Sequence, residues 1–241
     1  MDTIASFDRA AARYETFAAP QDALAAALAA GVASAERCGS ALEFGAGTGL
    51  LTARLLPWAG SYLATDAAPA MLRLGQARCP AAAWSLRDAR DPAGLGPADW
   101  IFSCGLLQWL ADPAAVLRRW RAEIAPDGRL VLGVWLPGTL GELESLLPDA
   151  MPMQGRSEPE WQTLLQSAGF RLEHARTWDH ISLHPSALDF LRAVHAMGVA
   201  PRRAVGPGRL RTALRTYDRR FATPDGVRAT WRAWLARAVA N

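Results

Sequence analysis

The sequence predicts an α/β protein built on one mainly parallel β-sheet. Three observations support this class: short apolar runs alternate with helical stretches through the first half, turn residues separate them, and 51% of the 241 residues are hydrophobic. Strands that alternate with helices are typical of parallel sheets in which each helix crosses over to the next strand. A chain of this length and composition can bury a sizeable core and is not expected to be disordered.

The first half predicts five strands with helices between them. Pro69 and the pair Asp112-Pro113 each suit the first turn of a helix. In chain order, the expected elements are strand 41–45, helix 49–57, strand 61–65, a helix from Pro69 to about Arg78, strand 83–87, strand 99–104, helix 112–124, a turn at 126–128 and strand 129–136.

The alanine-rich stretch before the first strand resembles the core of a signal peptide. The residues that precede it carry four acids, whereas a signal peptide begins with a short, positively charged region. We therefore expect a helix over 21–36. No apolar run reaches the length that a bilayer-spanning helix needs, so no membrane partner is expected.

The second half is less regular. Helices are expected at 139–147, 158–168 and 186–198, with a strand inside 170–183. Alternation over 227–238 favours a last strand, while 199–224 is rich in glycine, proline and arginine and receives no element.

Charge and cysteine content exclude several classes. The formal charge of +3 is too small to indicate a nucleic-acid partner, although all 26 basic residues are arginine. The three cysteines form no C-x-x-C pair and the four histidines complete no ligand set, so neither a metal site nor a disulfide framework is expected. A reduced, cytoplasmic setting fits best.

A glycine-rich segment, E-F-G-A-G-T-G, follows the first predicted strand at 43–49. Glycine lets the backbone turn tightly and approach a ligand, and the helix that follows favours negative charge at its N-terminus. Such a loop is a weak signal alone, because a tight strand-to-helix turn without a ligand uses the same residues.

Two more acids follow neighbouring strands. Asp66 ends the second predicted strand and can accept both hydroxyls of a ribose, and Asp88 follows the third, where it can accept an adenine amine. Together with Glu43, they would lie along the carboxyl edge of the sheet, where open α/β sheets bind ligands. An NAD-dependent oxidoreductase also uses an acid like Asp66, but the glycine spacing differs from G-x-G-x-x-G.

These segments resemble the motifs of class I S-adenosylmethionine-dependent methyltransferases, with D-A-A-P-A-M-L at 66–72 as the second motif and R-D-A at 87–89 as the third. The resemblance covers 40–136. It implies a Rossmann-like, seven-stranded sheet with helices on both faces, and S-adenosylmethionine as cofactor. The residues it assigns to cofactor binding are Glu43, Gly45, Ala46, Gly47, Gly49, Asp66, Ala67, Met71, Asp88, Ala89 and Ser103.

Further stretches resemble the malonyl-acyl-carrier-protein O-methyltransferases of biotin synthesis. They are F-D-R-A-A-A-R-Y at 7–14 with Gln21 after it, L-L-Q-W-L at 106–110, P-G-T-L-G-E-L at 137–143, F-L-R-A-V-H-A-M-G-V at 190–199, and Thr230-Trp231, where that group tends to have Thr-Tyr. This resemblance implies one domain, with a helical cap at 1–36, a cofactor core at 40–136, and a substrate side at 137–241 that contains a helical lid at about 185–222. Cys104 and His195 replace the group's usual asparagine and lysine, which leaves the acyl substrate open.

The reaction implied by this resemblance needs little acid–base chemistry. A malonyl carboxylate is ionised at pH 7, so the enzyme has to hold one oxygen in line with the methyl group and exclude water. An arginine fork suits the carboxylate, and we expect Arg192 to hold it and Tyr14 to close the site. Gln108 and Trp109 are expected to line the acyl pocket.

The partner implied is an acyl carrier protein that carries a malonyl group. Acyl carrier proteins are acidic, and arginines that surround a lid would attract one; a solvated helix face is the alternative. The segment 192–220 contains eight arginines against the single acid Asp218, at positions 192, 202, 203, 209, 211, 215, 219 and 220.

Two other functions fit the same sequence. One is a methyltransferase that acts on a free small-molecule carboxylate, amine or phenol. The other is a non-catalytic or nucleic-acid-binding protein that keeps the fold.

Overall fold

Parallel strands with crossover helices form the centre of the molecule. The computed structural model describes residues 3–32, 38–151, 155–198 and 205–241. Within these ranges eight strands form one sheet, namely β1 (Cys38–Phe44), β2 (Ala59–Asp66), β3 (Ala83–Leu86), β4 (Ala98–Cys104), β5 (Ile124–Trp135), β6 (Phe170–His184), β7 (Ala222–Thr223) and β8 (Gly226–Ala240).

Seven strands follow the order β3-β2-β1-β4-β5-β8-β6, and the short β7 pairs with β8 at its start. The pairs among β1 to β5 are parallel, whereas β8 runs antiparallel to both β5 and β6. The α/β fold with a seven-stranded sheet is therefore confirmed. The chain leaves β1 in one direction for β2 and β3, and returns beside β1 for β4, which creates the crevice where such sheets bind ligands.

Nine helices in the described ranges accompany the sheet, most of them with proline in the first turn. They are α1 (Thr3–Phe17), α2 (Ala19–Ala30), α3 (Thr52–Leu55), α4 (Pro69–Arg78), α5 (Pro113–Ala122), α6 (Gly141–Glu144), α7 (Glu158–Ser167), α8 (Ala187–Ala196) and α9 (Pro207–Arg220). Asp112 caps α5 by accepting the backbone N–H of Ala115 at 2.9 Å, which satisfies one of the unpaired donors at a helix start.

Side chains on the two faces of the sheet build two cores. On β4, Trp100 and Phe102 pack with α2 on one face, while Ile101 packs with α5 and α7 on the other. This alternation follows from the two-residue period of a strand. Stacking of Phe44 on Trp120, with ring centroids 4.6 Å apart, joins β1 to α5 and contributes about 0.5–1.5 kcal/mol beyond buried area.

Several predicted boundaries were wrong. The helix predicted at 21–36 begins at Ala19 and ends at Ala30, next to Gly31, and 33–36 lies outside the described residues. The helix predicted at 49–57 is reduced to the single turn α3, because a 3₁₀ turn begins at Leu56. The helix predicted at 139–147 is reduced to the single turn α6.

Two further expectations fail. The predicted turn at 126–128 lies inside β5, where the pairing with β4 shifts register and Asp127 adopts a φ of 58°. A bulge of this kind keeps the strand continuous while it absorbs extra residues. The segment 199–224, which received no element, contains α9 and β7.

Helices α8 and α9 lie between the long strands β6 and β8 in chain order. α9 rests on β8, where the Tyr217 hydroxyl donates to the Arg228 carbonyl at 2.8 Å. No helix in the described part of the chain is both long enough and apolar enough to traverse a bilayer.

Candidate active site

A cavity of about 600 Å³ opens at the carboxyl ends of β1 to β4. Its size lies within the range of small-molecule sites. We call it the large cavity. The residues of its wall used below are Phe7, Tyr14, Gly45, Gly47, Asp66, Ala67, Met71, Arg87, Asp88, Ala89, Arg90, Cys104, Gly105, Leu106, Trp109 and Arg119.

The glycine loop after β1 serves both the cavity and the packing behind it. Gly47 lines the large cavity with a φ of +57°, and no atom lies within 4 Å of the place where a Cβ would stand. A side chain there would fill space that a ligand can use. Gly49, at a φ of +82°, faces the other way, since a Cβ would lie 3.4 Å from Gly75 Cα and from the Trp84 ring.

Glu43 lies behind the loop, not on the cavity wall. Its Oε2 accepts hydrogen bonds from the Thr52 hydroxyl at 2.6 Å and the Tyr62 hydroxyl at 2.7 Å. These bonds tie β1 to β2 and α3. Burial raises the pKa of Glu43 to about 7, against the two hydrogen bonds, which lower it.

Asp66 projects from the end of β2 into the large cavity. Its carboxylate accepts the backbone N–H of Gly47 and of Ala68, each at 2.8 Å. Burial raises the pKa of Asp66, and these backbone bonds oppose that rise. A carboxylate has about four acceptor positions, so acceptor capacity remains for a ligand.

Asp88 lies on the wall but is already engaged. The Arg90 guanidinium donates to both of its oxygens, and the pKa of Asp88 is lowered by that hydrogen bond. A ligand amine would therefore share the carboxylate with Arg90. Ala89 is held from behind, where Trp120 Nε1 donates to its carbonyl at 2.8 Å.

Helix α1 forms the outer wall of the large cavity. Asp8 accepts the backbone N–H of Ala70 at 2.7 Å, which anchors α1 to the start of α4. Phe7 packs edge-on against Trp109, with centroids 5.8 Å apart. Tyr14 lines the cavity, and burial raises the pKa of its hydroxyl above the ordinary value.

A second cavity, of about 50 Å³, adjoins the first. We call it the small cavity. It shares Phe7, Tyr14, Gly105 and Trp109 with the large cavity. Its other lining residues are Gln21, Trp135, Thr139, Leu140, Met151 and Trp231.

Seven of the residues predicted to bind the cofactor lie on the wall of the large cavity. They are Gly45, Gly47, Asp66, Ala67, Met71, Asp88 and Ala89. Tyr14 and Trp109 line both cavities, as a site-closing and an acyl-pocket residue would.

Five predicted residues stand behind these walls: Glu43, Ala46, Gly49, Ser103 and Gln108 line neither cavity. Ser103 is 1% exposed, and its hydroxyl has no partner among the described residues. Gln108 donates from Nε2 to the Gly105 carbonyl at 2.5 Å and so supports the wall from outside.

The structure does not bring Arg192 to either cavity, which corrects its expected position. Its side chain is 67% exposed on α8, where Nη1 lies 3.3 Å from Asp189 Oδ1. Phe190 and Val194 occupy the buried face of α8, and that arrangement turns Arg192 towards solvent.

Sequence reasoning missed most of the α1 contribution and all of the small cavity's inner wall. Phe7 lies within a quoted motif but received no role, and Gly105 and Leu106 follow β4, where the strand-end rule that found Asp66 applies equally. Gln21, Trp135 and Trp231 come together only through packing of α2, β5 and β8, which no local pattern indicates.

Comparison with known proteins agrees with this geometry. Residues 42–130 match a family described as a methyltransferase domain. The solved N-methyltransferase NodS of Bradyrhizobium japonicum, in complex with S-adenosyl-L-homocysteine, shares the fold at a TM-score of 0.62 and 15% identity, over 100% of this chain and 99% of that one. The chain is a class I S-adenosylmethionine-dependent methyltransferase.

Two relatives indicate which methyltransferase family the chain belongs to. The malonyl-[acyl-carrier protein] O-methyltransferase of Geobacter sulfurreducens is 31% identical over 94% of this chain and 93% of its own length. The biotin biosynthesis bifunctional protein BioCD of Bordetella avium is 34% identical over 90% of this chain, which spans 48% of that longer protein. The chain belongs to the malonyl-[acyl-carrier protein] O-methyltransferase family.

The residues present fit S-adenosylmethionine. Gly47 leaves the loop open to the large cavity, Asp66 keeps acceptor positions for the ribose, and Ala67 and Met71 provide an apolar wall for adenine. The side chains of Arg87, Arg90 and Arg119 stand at the Asp88 end.

The raised pKa of Glu43 predicts that the free energy of unfolding depends on pH. Its pKa is 4.5 in the unfolded chain and about 7 in the folded one, so the folded state holds the proton more tightly. Between these values, the free energy of unfolding of the wild-type protein falls as pH rises, by about 3 kcal/mol from this group. The variant Glu43→Gln, whose amide oxygen can accept both hydroxyl bonds, lacks this fall. Urea unfolding at pH 4.5 and 7.5 measures it.

The control for this prediction is Glu144→Gln, since Glu144 is exposed. Its unfolding free energy should follow the wild-type pH profile. Parallel profiles for Glu43→Gln and the wild-type protein would show that folding does not raise the pKa of Glu43.

Proposed function

We propose that this enzyme methylates the free carboxylate of a malonyl thioester carried on acyl carrier protein, as a step of biotin biosynthesis. The observation that carries the proposal is the small cavity beside the large one, in a chain that aligns with a malonyl-[acyl-carrier protein] O-methyltransferase over 93% of that relative's length. A cavity of this size suits the end of a short acyl group.

The position of each residue on the wall of the large cavity indicates which part of the cofactor it would bind. Asp66 would bind the ribose hydroxyls, Gly45 and Gly47 would lie against the methionine part, and Asp88 would accept the adenine amine. When bound, S-adenosylmethionine supplies an electrophilic methyl group. The acceptor carboxylate is already ionised at pH 7, so no general base is required.

Exclusion of water is the main task left to the protein. Tyr14 and Phe7 of α1 line both cavities where they meet, and Phe7 packs edge-on against Trp109, which also lines both. We propose that Tyr14 closes this junction over the bound ligands. A cytoplasmic location fits the free thiols of Cys79 and Cys104.

The arginines of α9 provide a surface for the acidic carrier. Arg209, Arg211, Arg215, Arg219 and Arg220 are all exposed. Arg209 also lies 3.3 Å from Asp149, which precedes the small-cavity residue Met151 by two positions. The basic helix α9 therefore begins beside the small cavity. Arg202 and Arg203 lie outside the described residues.

Charge reversal on α9 should weaken use of the carrier-bound substrate. Arg211 and Arg215 are four residues apart and share one face of the helix. We expect Arg211→Glu/Arg215→Glu to lower kcat/KM for malonyl carrier protein about tenfold at low salt, with a smaller loss at high salt. With malonyl-pantetheine, which lacks the protein, kcat/KM should stay within twofold.

A matched control makes the same charge change elsewhere: Arg73 and Arg118 are exposed on α4 and α5. Arg73→Glu/Arg118→Glu should act like the wild-type enzyme with both substrates. An equal loss in the two double variants would mean that overall charge, not α9, attracts the carrier.

The proposed reaction is tested by mass spectrometry. Malonyl carrier protein is incubated with enzyme and S-adenosylmethionine, and one added methyl group on the malonyl arm is the expected product. Free malonate and succinate are supplied in parallel. Methylation of the free acids but not of the carrier-bound group would favour an enzyme for small-molecule carboxylates.

A further inference from the structure

The inner wall of the small cavity carries two kinds of polar side chain: some form hydrogen bonds within the protein, and others do not. Two of its polar side chains are already engaged with protein groups. The Thr139 hydroxyl donates to the Arg232 carbonyl at 2.7 Å and accepts the Arg232 backbone N–H at 3.1 Å. Trp231 Nε1 donates to the Ser182 hydroxyl at 2.9 Å. Neither is available to a ligand without loss of a bond.

Three other polar side chains on this wall form no hydrogen bond with any described residue. They are the Tyr14 hydroxyl, the Gln21 amide and the Trp135 indole N–H. Gln21 Oε1 is buried without a partner. Trp135 Nε1 lies 3.6 Å from the Cβ position of Gly105, which belongs to the wall that the two cavities share. An unpaired buried polar atom is costly, so Gln21 points to a ligand, and its amide can turn to present either Oε1 or the donor Nε2.

Positive charge is absent from the part of this wall that the structure describes. The lining residues that the structure describes include no arginine and no histidine, and five of them are aromatic. The volume of about 50 Å³ admits on the order of four groups the size of a water molecule. A carboxylate and the methylene that carries it are four non-hydrogen atoms.

We propose that the acceptor carboxylate is bound in the small cavity by the neutral donors of Tyr14, Gln21 and Trp135, and not by an arginine. This rests on the proposed function, because it takes the acceptor to be a short acyl carboxylate. It also accounts for the exposed position of Arg192. Neutral donors orient the two oxygens, and the indole N–H next to Gly105 directs one of them towards the junction with the large cavity.

Low polarity suits this reaction. Transfer of a methyl group from a sulfonium to a carboxylate turns a cation and an anion into two neutral products, and no proton moves. Charge is therefore smaller in the transition state than in the reactants, and a dry aromatic wall favours the transition state. A guanidinium clamp would stabilise the reactant carboxylate most, through strong charge-assisted hydrogen bonds.

The test uses Gln21→Leu and Trp135→Phe, each of which removes the donor and keeps most of the volume. Tyr14 is left intact because it also lines the large cavity. Calorimetry measures binding of malonyl-pantetheine and of S-adenosylmethionine, and methyl transfer is measured separately. We expect each variant to weaken malonyl-pantetheine binding at least tenfold and to leave S-adenosylmethionine affinity within twofold of the wild-type value. Binding of the uncharged methyl ester should change less than threefold.

Gln162→Leu, on the exposed face of α7, is the matched control and should bind like the wild-type enzyme. The proposal is overturned if Arg192→Ala weakens malonyl-pantetheine binding tenfold while Gln21→Leu and Trp135→Phe retain it. Wild-type enzyme that binds malonyl-pantetheine but transfers no methyl group would contradict the proposed function alone. Absence of binding to the wild-type enzyme would contradict both.

Discussion

Asp66→Ala is expected to lower the affinity for S-adenosylmethionine at least tenfold, and on the order of 100-fold. A hydrogen bond to a charged group contributes about 1.5–3 kcal/mol, and the carboxylate keeps acceptor positions for two ribose hydroxyls. Each 1.4 kcal/mol corresponds to a factor of ten in the dissociation constant. Calorimetric titration of the purified variant with S-adenosylmethionine measures the change directly.

The variant also loses two bonds within the protein, so a structural effect must be separated from a lost ligand contact. Asp66 accepts the backbone N–H groups of Gly47 and Ala68. Asp99 offers the comparison, because it accepts the Ser40 backbone N–H at 2.7 Å and the Ser40 hydroxyl at 3.0 Å and lines neither cavity. Asp99→Ala should destabilise the fold similarly and keep cofactor affinity. Unchanged affinity in Asp66→Ala would refute the ribose assignment.

The part of the site that could be predicted is the part that strand ends dictate. Gly47, Asp66 and Ala89 each follow a strand that local pattern identified, and parallel strands bring their carboxyl ends to one edge. Residues that directly follow a strand in the sequence are therefore expected to lie close together in space. Trp109 was predicted from the resemblance of L-L-Q-W-L to its family, and it follows β4 by a few residues.

What could not be predicted depends on packing between distant elements. The small cavity needs α2 to bring Gln21 to Trp135 at the end of β5 and to Trp231 within β8. Nothing in the local sequence of Gln21 indicates that meeting. Arg192 failed for the converse reason: its chemistry suited a carboxylate, but the apolar side chains of α8 decide which face of that helix is buried, and Arg192 is on the other one.

The secondary structure likewise includes one element that local sequence predicted and one that it did not. Alternation over 227–238 correctly predicted a strand, because buried and more exposed residues alternate along the first half of β8. The second half is buried on both faces, and there the burial no longer alternates. α9 was missed because proline and glycine at its start and five arginines within it disguise an amphipathic helix. Its few apolar positions suffice, since Ala213 and Tyr217, four residues apart, form its buried side.

Gly47→Ala is expected to lower the affinity for S-adenosylmethionine roughly 5- to 150-fold while the protein stays folded. The backbone at Gly47 has a φ of +57° and the site of a Cβ is empty of protein atoms. The substitution therefore costs about 1 kcal/mol of backbone strain, and the new methyl group stands in the space that the cofactor would occupy. Overfilling a packed contact costs about 1–3 kcal/mol, or roughly 5- to 150-fold in affinity.

Gly94 separates the two effects. It has a φ of +80°, no atom lies within 4 Å of its Cβ position, and it lines neither cavity. Gly94→Ala therefore carries the same kind of strain with no ligand to meet. Equal losses of unfolding free energy in the two variants, with cofactor affinity lost only in Gly47→Ala, would assign the affinity loss to the cavity. If both variants bound S-adenosylmethionine like the wild-type enzyme, the glycine loop would lie away from the ligand, and the cofactor would have to enter by another wall.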